Sequence, residues 1–134
     1  MALLPELDKS ETVSNVRFLF EKELPRLENM ARVSLGSPTI SDIPSSRPEG
    51  NGNDQKYTDA IWARNIIGNI KSACEYMPEP YRTMLKLRYF NKMTWDEIEE
   101  RMYISERVGQ KRIERAFMYF AESFYETDDL RVNK

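Results

Sequence analysis

Between Met93 and Phe120 the chain reads MTWDEIEERMYISERVGQKRIERAFMYF, a run that specifies two helices joined by a tight turn. Thr94 and Glu97 form a T-x-x-E capping box. The Thr94 hydroxyl can accept from the Glu97 N–H while the Glu97 carboxylate reaches back to the N–H of Thr94. Trp95, Ile98 and Met102 then recur on one helical face. Tyr103 and Ile104 make the turn, and Ser105 is the natural N-cap of a second helix. That helix carries Gly109, Ile113, Ala116, Phe117, Phe120 and Phe124 along one stripe, with Glu106, Arg107, Gln110, Lys111 and Glu114 opposite and Arg112 and Arg115 on the flanks.

Upstream, PYRTMLKLRYF (80–90) reads as a bracing helix, with Pro80 suited to a first-turn position. A brace, a capped short helix and a longer polar-faced helix make up a helix-turn-helix, whose second helix enters the major groove of duplex DNA. Such a trio can also be a plain three-helix bundle. The Arg-rich outer face favours DNA.

The string MPEPYRTMLKLRYFNKMTWDEIEERMYIS resembles region 4 of sigma-70-type factors: a proline-bearing start, L-x-L-R-Y-F, E-I-x-E-R and then I-S. SPTISDIPSSRPEGNGN, with NVRFLFEKELPRLENMA before it and RAFMYFAESF at the end, resembles a narrower group. These are the ArpU-like regulators of phages and prophages, associated with late packaging and lysis genes. The chain departs from the sigma pattern in three places. Tyr103 stands at a turn position that is often Gly, Glu99 replaces a small residue, and Gly109 replaces a branched one. No counterpart of sigma region 2 is evident, so promoter melting by this chain alone is not expected.

The resemblance carries base contacts onto Glu106, Arg107, Gln110 and Lys111. Their chemistry fits, since Arg and Lys read guanine, Gln reads adenine and Glu accepts from cytosine. Phosphate contacts are expected from Arg112, Arg115, Lys92 and the start of the Thr94 helix.

Charge constrains this reading. Across 134 residues, 20 Lys+Arg face 22 Asp+Glu, a net charge of −2. Affinity for DNA leans on phosphate neutralisation, so the local cluster Arg107, Lys111, Arg112 and Arg115 must supply it. The Asp96, Glu97, Glu99 and Glu100 run is read as a solvated face suited to a helix N-terminus, rather than as a metal or acid/base cluster. With no histidine and one cysteine, Cys74, no Ser-His or Cys-His pair and no disulfide can form. No catalytic constellation, metal site or cofactor is expected, and the chain is read as a non-enzyme. Cys74 falls in a helical pattern as a small buried hydrophobe. No membrane-spanning run or signal peptide is visible, so a cytoplasmic location is expected.

The remainder also predicts helices. Glu11 to Val33 keeps Val13, Val16, Phe20, Leu24, Leu27 and Met30 at helical spacing, and Pro25 should kink or restart the element. Residues 36–56 form a Ser/Pro/Gly/Asn-rich loop. Tyr57 to Met77 is helical again, with Ile61, Ile66, Ile70, Ala73 and Met77 as its apolar set. The expected organisation is an all-α helical bundle: an N-terminal helical segment (1–35), the irregular loop (36–56) and a helical domain (57–134) holding the helix-turn-helix (94–124). The expected partner is double-stranded DNA. The alternative is a non-enzymatic adaptor that binds RNA polymerase or a sigma factor. A homodimer is also weighed, with Val16, Phe20, Leu27, Met30, Phe120 and Phe124 as its seam, against the same residues covering the chain's own core.

Overall fold

The computed structural model describes residues 3–35 and 51–134, with side chains at 3–32 and 59–134. Among these residues it is all-α, with a single isolated antiparallel bridge, Leu7 to Asn133, outside the helices.

Helix α1 (Lys9–Phe18) starts two residues before the expected Glu11, because Asp8 caps it by accepting from the Glu11 N–H at 3.0 Å. A π-helical turn, Leu19–Glu23, follows and leads into α2 (Leu24–Leu35). Pro25, the second residue of α2, has no N–H to offer the preceding turn. The backbone widens just before it, and Leu24 donates to the Leu19 carbonyl. The restart expected at Pro25 thus takes the form of a wider turn.

Helix α3 (Asn51–Glu75) packs along α2 in the most extensive helix pair of the fold. It begins six residues before the expected Tyr57, which shortens the 36–56 loop. No proline lies between Pro48 and Pro78, so nothing in the sequence forbids helical hydrogen bonding from Asn51 onward. The rest of that loop lies outside the described residues. The buried stripe of α3 also differs from the expected set. Ala60, Ala63, Ile70, Ala73 and Cys74 are buried, and Ile61 is exposed. Small residues on this stripe let α2 approach closely. Burial pushes the Cys74 thiol up to about 12, so it stays a neutral thiol at ordinary pH.

Helix α4 (Tyr81–Leu85) opens at Pro80, whose carbonyl accepts from the Met84 N–H, and continues into a second π-helical turn, Lys86–Phe90. Then come α5 (Trp95–Met102) and α6 (Glu106–Phe124).

One core joins these elements. Phe20 stacks on Tyr89 (4.8 Å between centroids) and on Phe117 (6.1 Å), and meets Phe120 edge-on at 4.8 Å. The N-terminal segment therefore shares its core with the helix-turn-helix. Val16, Phe20, Leu27, Phe120 and Phe124 are buried inside the chain itself, and Met30 packs partly buried against the same core. Of the two readings weighed for these residues, their burial matches the one in which they cover the chain's own core. The C-terminal residues close the bundle. Lys134 N–H donates to the Glu6 carbonyl, Asp8 N–H to the Val132 carbonyl, and Val132 N–H to the hydroxyl of buried Thr12.

Candidate nucleic-acid interface

The interface is built around two helix starts. At α5 the capping box forms as the sequence specifies. Glu97 N–H donates to Thr94 Oγ1 at 3.2 Å, and Thr94 N–H donates to Glu97 Oε1 at 2.8 Å. At α6, Val108 N–H donates to Ser105 Oγ at 3.2 Å. Between the helices Tyr103 takes the left-handed conformation (φ 57°, ψ 46°), which stops α5 and lets the chain turn. The turn geometry thus matches a glycine-type turn although a tyrosine occupies it.

The two helices are held at a fixed spacing by Trp95 and Gly109. A Cβ added to Gly109 would lie 2.7 Å from Trp95 Cζ3 and 3.5 Å from Ile104 Cδ1. The indole thus fills the volume that a branched residue on α6 would take. The Arg88 guanidinium covers the ring at 5.1 Å and donates to the Met93 carbonyl at 2.9 Å. Ile98 and Ile113 are buried. The α6 stripe Gly109, Ile113, Ala116, Phe117, Phe120 and Phe124 is buried as expected, joined by Ala121.

The opposite face of α6 carries the candidate readers. Glu106, Arg107, Gln110 and Lys111 are all exposed. Gln110 Nε2 donates to Glu106 Oε2 at 2.9 Å, so these two side chains act as a pair. Arg107, Lys111 and Arg115 follow one another at i, i+4 and i+8, which places three cations on one exposed stripe. Arg115 also donates to the Tyr81 hydroxyl at 3.4 Å, which holds its guanidinium charged and ties this stripe to α4. Arg112 is half-buried at its flank.

The other two residues expected at phosphates, Lys92 and Thr94, are exposed but already have partners within the chain. Lys92, itself left-handed at φ 59°, pairs with Glu28 of α2 at 2.8 Å. Both the hydroxyl and the N–H of Thr94 serve the capping box. The Thr94 commitment follows from the capping box read in the sequence, whereas the Lys92 pair was not visible there, since its partner lies 64 residues away. Val108 was not singled out in the sequence. It is partly exposed in the first turn of α6, and an apolar residue between Arg107 and Gly109 was its only signal.

Carboxylates gather beside the readers. Ligand atoms of Asp96, Glu99 and Glu106 all lie within 4.8 Å of one another, the one group among the described residues close enough to hold a divalent cation. Asp96 and Glu106 sit in the first turns of α5 and α6, where the helix dipole favours negative charge.

Among the described residues no helix is long and apolar enough to cross a membrane. Residues 67–118 match the family model described as Sigma-70, region 4. The matched span runs from the second half of α3 into α6 and contains both capped helix starts, the Tyr103 turn and the Trp95–Gly109 contact. This span is thus similar to sigma-70 region 4, a helix-turn-helix type that binds DNA. Comparison with curated proteins and with solved structures gives no match.

Proposed function

We propose that the chain is a sequence-specific double-stranded DNA-binding transcription regulator that reads its site with the first turns of α6. The observation that carries this is the exposed stripe Arg107, Lys111 and Arg115 inside the region 4 match. Base contacts fall to Arg107, Lys111 and the Glu106–Gln110 pair, and phosphate contacts to Arg115 and Arg112. Lys92 and Thr94 position the interface from behind, through Glu28 and the α5 cap.

The likeness of the 15–31, 37–53 and 115–124 segments to ArpU-like regulators supports a narrower reading, control of phage late packaging and lysis genes. The chain then acts without catalysis, in the bacterial cytoplasm and on DNA, and RNA polymerase is its natural second partner, as the region 4 match suggests.

Selection of bound duplexes from a random pool, followed by footprinting, tests the reading. A recovered consensus should lose about 1–3 kcal/mol of affinity in Arg107→Ala, with preference relaxed at one base pair. Failure to enrich any sequence, alongside direct binding to RNA polymerase or a sigma factor, would establish the adaptor role instead.

A further inference from the structure

Tyr103 combines two features that a turn by itself does not call for. Its backbone is left-handed, at φ 57° and ψ 46°, a region in which a Cβ is crowded and which glycine or asparagine fills at lower cost. Its side chain is 93% exposed, and its hydroxyl has no hydrogen-bond partner among the described residues. The side chain therefore returns nothing to the fold for the strain its presence imposes. Backbone strain of this kind gathers at functional sites.

Position supplies the rest. Tyr103 lies two residues before Ser105, the cap of α6, and so at the end of that helix that carries Arg107. In a helix-turn-helix this end of the second helix faces the bases, so the preceding turn comes close to the rim of the groove. A tyrosine suits that rim. Its ring has few rotatable bonds, and its phenol is among the groups that donate to phosphate oxygens.

We propose that Tyr103 is a backbone-contacting residue of the DNA interface, its hydroxyl donating to a phosphate oxygen beside the groove that α6 enters. This rests on the DNA-binding reading of α6. The contact is uncharged, so it adds affinity without releasing a counterion. It fixes the register of α6 on the duplex and does not select a base.

The test uses the full chain and a labelled, short, random-sequence duplex at about 50 mM salt. Tyr103→Phe should weaken binding roughly ten-fold, the scale of one hydrogen bond to a charged acceptor, and leave the slope of log affinity against log salt unchanged. Tyr103→Gly should weaken binding at least as much while raising the thermal midpoint by about 2–8 °C, since it removes the crowded Cβ. Tyr103→Asn, which also tolerates this backbone, should behave as the glycine variant does. Wild-type affinity in the Phe, Gly and Asn variants would overturn the inference and leave the DNA-binding reading standing. Absence of salt-sensitive duplex binding by the wild type would overturn both.

Discussion

Gly109 shows how one missing side chain sets the spacing of the whole interface. Helix propensity alone favours alanine there by about 0.8–1 kcal/mol. The 2.7 Å approach of an added methyl to the Trp95 ring, over which the Arg88 guanidinium lies at 5.1 Å, opposes it. Gly109→Ala should therefore lower stability by about 1–3 kcal/mol, the usual scale of overpacking. Urea denaturation reads this directly, and adding Trp95→Leu to the alanine variant should recover part of the deficit. A more stable Gly109→Ala protein would show that the ring moves freely. In the sequence Gly109 is only a departure from a family pattern. The compensating residue is 14 positions earlier in the chain, and no periodicity links the two.

Among the elements, α5 and α6 were the most legible, because caps and apolar spacing are local signals. Both N-caps, the Tyr103 turn and the buried stripe of α6 stand where the residues put them. The π-helical turns were less so. Pro25 announced a disturbance but not its form, and nothing in KLRYF announces the turn over Lys86–Phe90. The early start of α3 was hidden because Asn and Gly near 51–53 read as loop residues although no proline blocks the backbone. The α5 cap should matter more than its eight residues suggest, since it orients Trp95. Thr94→Ala removes the acceptor for the Glu97 N–H and should cost about 1–2 kcal/mol in denaturation experiments. Retention of full stability would mean that packing of Trp95 and Ile98 alone fixes the start of this helix.

On the scale of the molecule, the sequence suggested a helical bundle of an N-terminal segment, a loop and a helical domain holding the helix-turn-helix, and in the fold one core runs through the N-terminal helices and the reader alike. Phe20 is the clearest case. It lies in the N-terminal segment yet touches Tyr89, Phe117 and Phe120, and Glu21 beside it accepts from the Tyr89 hydroxyl at 3.1 Å. Such contacts span dozens of residues, and helical spacing reveals that a face is apolar without naming what covers it. Phe20→Ala should cost roughly 3–5 kcal/mol. A fragment of residues 57–134, which leaves Phe117 and Phe120 uncovered, should show no cooperative thermal transition by circular dichroism. A cooperative transition in that fragment would make the N-terminal helices an accessory rather than part of the domain.

The same scale holds the central claim, that a chain of net charge −2 binds DNA through one local basic stripe. Duplex binding by the full chain across a salt series tests it most directly, comparing wild type with the combined Arg107→Ala, Lys111→Ala and Arg115→Ala variant. Wild-type log affinity should fall linearly with log salt, by about 0.9 for each phosphate neutralised. The variant should bind far more weakly and with a shallower slope, by about one unit for each cation–phosphate pair removed. A salt-independent wild type, or a variant whose affinity and slope equal those of the wild type, would contradict the account.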